Sequence, residues 1–117
     1  EGDLDLSYTS ITSIPDNLQV GGSLDLENTN IETLPDNLKV GEFLDLDNSL
    51  ITSLPDNLKV GGTLNIKNTD IKTLPNNLQV GGFLDLINTP IAKKYTKEEV
   101  RNMIEDKGGY VKEFIYV

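Results

Sequence analysis

The sequence has a 20-residue period, and this period constrains the fold more than any other feature of the chain. Leucine stands at positions 4, 24, 44, 64 and 84, with no insertion between them. Each repeat runs through a Leu-x-Leu triplet, an isoleucine shortly after it and a proline. A fixed period of this length indicates a solenoid, in which successive coils stack and each coil covers its neighbours.

Inside the repeat, apolar residues alternate with polar ones at the triplet Leu24-Asp25-Leu26. Alternation of this kind predicts a short strand with both leucines inward and the aspartate outward. We call the residues that recur at this period a column. Six apolar columns predict one continuous core between parallel strands about 4.8 Å apart; they begin at Leu4, Leu6, Ile11, Ile14, Leu18 and Val20.

Three further columns predict how the chain turns. The hydroxyl column that contains Thr29 and Thr69 is expected to link one coil to the next through hydrogen bonds. The asparagine column just before it, which contains Asn28 and Asn68, suits a bent backbone. The glycine column that contains Gly41 predicts either a positive φ or a close approach of two backbones.

The pattern Leu24-x-Leu26-x-x-Thr29-x-Ile31-x-x-Leu34-Pro35 resembles the leucine-rich repeat consensus, above all the short variants of bacteria and their phages. It departs from the consensus in having Thr where Asn is usual, and in Val-Gly-Gly before the strand. The resemblance covers residues 1–92. It implies an α/β-type repeat protein dominated by β, a right-handed solenoid with a parallel sheet on its concave face, and a role in binding a protein or ligand.

Residues 93–117 form a C-terminal cap with a different pattern. The run Thr96-Lys97-Glu98-Glu99 predicts a capping box that starts an amphipathic helix over about 97–106. We expect this helix to cover the last coil, followed by a final strand over about 110–117. The segment from Gly108 resembles the one from Gly81, at an offset of 27. That alignment places Tyr110 and Lys112 on the concave sheet.

The balance of charge narrows the range of partners. The net charge is −9, and residues 1–60 carry 12 acidic against two basic side chains, a net −10. Such a surface is predicted to repel nucleic acid and anionic membranes and to favour a basic protein partner. The chain has no Cys and no His, so the usual nucleophile–base pairs are missing. We therefore predict a non-enzymatic protein with no cofactor, no catalytic residues and no metal site.

The outward positions of the predicted strands supply the candidate binding residues. Phe43 and Phe83 are candidate aromatic anchors two coils apart, while Asp25 and Asp45 are neighbours in one acidic column. The full predicted set on the concave face is Asp25, Glu27, Phe43, Asp45, Asp47, Lys67, Phe83, Asp85 and Ile87.

Several alternatives remain open from sequence. The acidic column also fits solvated carboxylates that keep a sheet surface soluble, or a Ca²⁺-binding solenoid. The overall charge fits an acidic DNA mimic or a scaffold that acts through bulk negative charge. Self-association at an uncapped N-terminal end is a further alternative. A regular exposed acidic column disfavours glycoside hydrolysis, which needs two carboxyl groups with different pKa values.

Overall fold

A computed structural model of the chain describes residues 2–117 as a β-solenoid of about four turns. Each coil contributes one two-residue strand to each of two parallel sheets. The six-stranded sheet has the order β1 (Leu4–Asp5), β3 (Leu24–Asp25), β5 (Leu44–Asp45), β7 (Leu64–Asn65), β9 (Leu84–Asp85) and β11 (Ile115–Tyr116). The five-stranded sheet has the order β10 (Tyr110–Val111), β8 (Gln79–Val80), β6 (Lys59–Val60), β4 (Lys39–Val40) and β2 (Gln19–Val20).

Each strand of the repeats pairs with the equivalent strand of the next coil. Leu24 pairs with Leu44, and Leu44 pairs with Leu64, in the six-stranded sheet. Val40 pairs with Val60 in the same way in the five-stranded sheet. Equal positions of successive coils are therefore direct neighbours, which confirms the predicted parallel solenoid. The strands of the five-stranded sheet were not predicted, because the sequence around Val40 shows no alternation beyond one inward residue.

The apolar columns form one core between the two sheets. Leu24, Leu44, Leu64 and Leu84 are all fully buried. Members of the apolar columns in the first coil, such as Leu4 and Ile11, are only partly buried, because within residues 2–117 a neighbouring coil covers them on one side only. The repeated burial explains how a chain with 37% hydrophobic residues still encloses a core.

Asparagine residues make most of the turns, after the strands of the six-stranded sheet and before those of the five-stranded sheet. Asn28 and its column have a positive φ of 55–62°, and Asn37 and its column have a φ of 57–65°. Asparagine tolerates this left-handed conformation better than other residues that carry a Cβ. The side chains also bond between coils, since the amide of Asn57 donates to Asn37 at 3.1 Å and that of Asn77 to Asn57 at 2.9 Å.

The glycine column is explained by close approach and not by φ. A Cβ at Gly61 would collide with the backbone carbonyl of Gly41, and one at Gly81 would collide with that of Gly61. Neither glycine has a positive φ. Two backbones therefore pass too close together at this corner for any side chain between them.

The hydroxyl column acts within a coil and not between coils, contrary to the prediction. Thr29 Oγ1 donates to the carbonyl of Leu26 at 2.7 Å, and Thr69 Oγ1 donates to that of Ile66 at 2.8 Å. Both acceptors lie earlier in the same coil, because the turn at the strand end brings that carbonyl back toward the hydroxyl. The buried Ser49 hydroxyl is the exception and has no partner among residues 2–117.

Two helices interrupt the last coil. The short α1 (Pro90–Lys94) was not predicted; it starts at the N-cap Thr89 with Pro90 in its first turn. The longer α2 (Lys97–Asp106) has the capping box read from the sequence, in which Thr96 Oγ1 accepts from Glu99 N–H at 3.2 Å. Val100 and Ile104 of α2 are buried in the core, so this helix covers the last coil.

The predicted register of the C-terminal segment was wrong. Tyr110 pairs with Gln79, and Ile115 pairs with Leu84, so both offsets are 31 and not 27. Tyr110 and Lys112 therefore belong to the five-stranded side of the solenoid and not to the six-stranded sheet. The chain bends at residues 112–114 between two strands, instead of continuing as one strand over 110–117.

Candidate functional site

The predicted site residues all lie along the outer face of the six-stranded sheet, which we call the sheet face. The inward leucines beside them are fully buried, whereas Phe43 is 43% exposed and Ile87 is 45% exposed. Asp25, Asp45 and Asp85 are the second residues of β3, β5 and β9. The period of the repeat places them in adjacent or near-adjacent strands of one sheet.

The aspartates of this column have a structural task at the strand end. Asp25 Oδ1 accepts the backbone N–H of Glu27 at 3.0 Å, and Asp45 Oδ1 accepts that of Asp47 at 2.9 Å. Asn65 Oδ1 does the same for Lys67 at 3.0 Å, so an amide oxygen serves as well as a carboxylate. The turn therefore explains why the column holds only Asp and Asn, although it does not require negative charge.

Three carboxylates crowd together at the acidic end of the sheet face. One oxygen from each of Asp25, Glu27 and Asp45 lies within 4.8 Å of the others. Burial raises the pKa of Asp45 to about 6; the Asp47 N–H bond opposes this shift, and the charges of its acidic neighbours add to it. These three are the residues that could share a cation, with one oxygen of Asp25 and one of Asp45 already bonded to backbone.

A cluster of three aromatic side chains occupies the other end of the sheet face. The rings of Phe83 and Phe114 stack with centroids 6.0 Å apart and an interplanar angle of 7°. Tyr116 meets Phe83 edge to face at 5.7 Å. Their side chains are 38%, 66% and 42% exposed, in the order Phe83, Phe114, Tyr116. We call these three residues the aromatic cluster.

Sequence reasoning missed Phe114 and Tyr116, because the offset of 27 put a different segment beside Phe83. A signal for the correct alignment was present in the sequence. The spacing from Val80 to Leu84 recurs from Val111 to Ile115, each time with a phenylalanine before the second apolar residue. In both places, the same number of residues connects a strand of the five-stranded sheet to the next strand of the six-stranded sheet.

The two predicted aromatic anchors lie two strands apart, as the period predicts, and each borders a different feature. Phe43 borders a small groove of about 170 Å³ that Asp25 and Asp45 also line. Phe83 instead belongs to the aromatic cluster, two strands away along the sheet. Between them Lys67 Nζ lies 3.9 Å from Asp47 Oδ2, the one ion pair found in residues 2–117. The sheet face therefore changes from acidic to aromatic along the solenoid.

A groove of about 580 Å³ borders the sheet face on the side of the asparagine turns. Its amides are occupied with one another or with a carboxylate. Asn88 Nδ2 donates to Asn68 Oδ1 at 2.7 Å, and Asn68 Nδ2 donates to Asp47 Oδ1 at 2.8 Å. These bonds link side chains of successive coils, so contacts between coils explain the order of this groove.

Comparison of the chain with protein-family models, with curated proteins and with solved structures finds no match in any of the three. Neither helix in residues 2–117 has the length and apolar character needed to cross a bilayer. Function is therefore inferred from the geometry of the sheet face.

Proposed function

We propose that the chain is a non-enzymatic binding module that holds a basic protein partner on its sheet face. The exposed aromatic cluster is the observation that carries the proposal. Phe114 keeps two-thirds of its surface in water although its ring is stacked on Phe83. A fixed, exposed group of aromatic rings is typical of the anchors that contribute most to protein interfaces.

The charges beside the cluster support a basic partner. Among the four predicted acidic residues of the first coils, Asp47 alone has a lysine within ion-pair distance in the described structure. Asp25, Glu27 and Asp45 instead face one another. A lysine or arginine from a partner would relieve this repulsion and would speed association through electrostatic attraction.

A pull-down with matched variants tests this proposal. Phe114→Ser removes an exposed ring from the sheet face, whereas Leu50→Ser removes an apolar side chain of similar exposure, 54%, from the segment after the turn at residues 47–48. We expect a partner captured by the parent protein to be kept by Leu50→Ser and lost by Phe114→Ser. Equal capture by both variants would remove the aromatic cluster from the interface.

The net charge of −9 favours a second candidate, an acidic DNA mimic or scaffold that acts through bulk charge. The two candidates differ in where charge matters. Asp25→Asn and Asp56→Asn each remove one charge, but Asp56 lies in the Pro-Asp-Asn turn, where its Oδ1 accepts the backbone N–H of Asn76. Bulk charge predicts equal losses of affinity, each reduced by salt, whereas binding on the sheet face predicts a larger loss for Asp25→Asn.

We also propose that the coils are leucine-rich repeats of the short type found in bacteria and phages. Support comes from the buried Leu24 and Leu26 and from the Thr29 hydroxyl, which bonds the Leu26 carbonyl where the consensus has asparagine. Repeats of that family vary in length from one protein to another. A short insertion of Gly and Ser after Pro55 should therefore leave the fold intact, and unfolding of that variant would speak against membership.

A further inference from the structure

We propose that the ligand of the sheet face is an extended peptide segment that lies along the solenoid axis, with a basic residue at the carboxylates and an aromatic or large aliphatic residue on the aromatic cluster. This inference rests on the proposed function and narrows it to one class of partner. It starts from the aromatic cluster, whose exposed rings leave an apolar surface without a cover in residues 2–117.

The cluster is held in place before any ligand arrives. Phe83 precedes β9 and Phe114 precedes β11, and the pairing of Leu84 with Ile115 fixes the two rings side by side. Tyr116 packs against Phe83 in an edge-to-face contact and so restricts the Phe83 ring further. Rings fixed in this way lose little side-chain freedom on binding, so an apolar side chain can be held at low entropic cost.

The acidic end supplies the second contact. Asp45 is half-buried between its acidic neighbours, and its carboxylate keeps one oxygen without a backbone bond. An ammonium or guanidinium group of the ligand would add positive charge where three carboxylates share one small volume. The charge of this end therefore selects a cationic residue over a neutral one.

The distance between the two contacts sets the spacing in the ligand. Asp45 lies on β5 and Phe83 lies beside β9, two strand spacings away, which amounts to about 10 Å. Phe114, beside β11, lies one strand spacing farther, at about 14 Å. An extended chain advances about 3.3 Å per residue, so the basic and apolar residues should stand about three to four positions apart. The pair of Lys67 and Asp47 lies between the two contacts, so we expect small or polar ligand residues at this point.

Peptide binding measured by fluorescence anisotropy tests the inference. Three labelled peptides would carry Lys-Arg and Phe separated by no residue, by two or by eight Gly/Ser residues, and a fourth would carry Gln-Gln in place of Lys-Arg with the two-residue spacer. The two-residue spacer places Lys four and Arg three positions before Phe, so we expect it to bind about tenfold more tightly than the peptide without a spacer or the Gln-Gln peptide. Equal affinities for all four peptides, or binding to none of them, would overturn the inference.

Two protein variants locate the contacts. Asp45→Asn keeps the oxygen that accepts the Asp47 N–H, as Asn65 does for Lys67 in the next coil, and Phe114→Ser changes a largely exposed side chain. We expect Asp45→Asn to weaken the Lys-Arg peptide about threefold or more but to leave the Gln-Gln peptide unchanged, with the difference reduced at high salt. Phe114→Ser should weaken both peptides at any salt concentration. A uniform effect of Asp45→Asn on both peptides would contradict the assigned position of the basic residue.

The two proposals fail in different ways. If a folded partner is captured through the sheet face and lost with Phe114→Ser, but no peptide binds, the proposed function stands and the extended-segment inference is wrong. If peptides bind with the expected spacing but Phe114→Ser does not affect them, the surface itself has been assigned wrongly.

Discussion

The backbone carbonyls of the inner coils and those of the last coil accept hydrogen bonds from different kinds of donor. In an inner coil, the carbonyl of Val80 accepts the backbone N–H of Lys112, and that of Gly82 accepts the N–H of Glu113. Within residues 2–117, no further coil meets the equivalent carbonyls of the last coil, those of Val111 and Glu113. Both accept instead from the guanidinium of Arg101 on α2.

This comparison shows that a side chain can close the end of a stack of backbones. A guanidinium carries several N–H donors in one rigid plane, and Arg101 places two of them where the next coil would place two amides. The pattern of the inner coils is repeated and can be read by its period. The contact of Arg101 with the last coil is not repeated along the chain, so it cannot be predicted from the period.

The largest effect is expected in the middle of the stack. Ile51 is fully buried between two coils, so Ile51→Ala should lower the free energy of unfolding by about 2–5 kcal/mol. The matched change Ile11→Ala, in the partly buried first coil, should cost distinctly less. Chemical denaturation of both variants gives the comparison, and equal losses would mean that the first coil is covered as fully as the third.

A somewhat smaller effect is expected at the closed end. Arg101→Leu leaves the Val111 and Glu113 carbonyls without these donors and should cost about 2 kcal/mol. Arg101→Lys keeps the charge but cannot reproduce two parallel N–H groups, so it should recover only part of the loss. Full recovery by lysine, measured by chemical denaturation, would show that charge, and not the arrangement of donors, closes the stack.

The acidic end of the sheet face should respond to pH. Because burial raises the pKa of Asp45 to about 6 in the folded chain, above the ordinary value near 3.9, its charge destabilises the fold at neutral pH. Stability should therefore increase as pH falls from 7 towards 4. Asp45→Asn should stabilise the protein by about 1 kcal/mol at pH 7, after allowance for solvent screening. The gain should vanish near pH 4; a gain that is constant with pH in thermal unfolding would contradict the assignment.

The smallest effect concerns the exception in the hydroxyl column. Ser49→Thr adds the methyl group that the equivalent residues already bury, and the threonines of that column bond a carbonyl earlier in their own coil. We expect a stabilisation of about 0.8 kcal/mol from the added methyl. A destabilised variant in the same thermal assay would show that coil three is packed too tightly for the methyl group.

The sequence was sufficient for the parallel stacking of the coils. The stacked leucines, the strands β1, β3, β5, β7 and β9, and the acidic column with Asp25 and Asp45 follow from the repeat and from alternation. The five-stranded sheet and the bonding of the hydroxyl column also recur with the period, but they could not be predicted from it. The capping box at Thr96 could be read because its signal is local. The register of β11 could not be read from the period, because α1 and α2 lengthen the last coil before Ile115 pairs with Leu84. Without the register of β11, Phe114 and Tyr116 could not be placed beside Phe83, so most of the aromatic cluster was missed.

The arrangement of the last coil against the repeats supports both the fold and the binding face, and cysteine cross-linking tests it directly because the chain has no Cys. Phe83 and Phe114 are side by side on neighbouring strands, within the range that a disulfide can bridge. Tyr110 belongs to the other sheet. Under mild oxidation, we expect rapid disulfide formation in the Phe83→Cys/Phe114→Cys variant and none in Phe83→Cys/Tyr110→Cys. A disulfide in the second variant and not in the first would contradict the account.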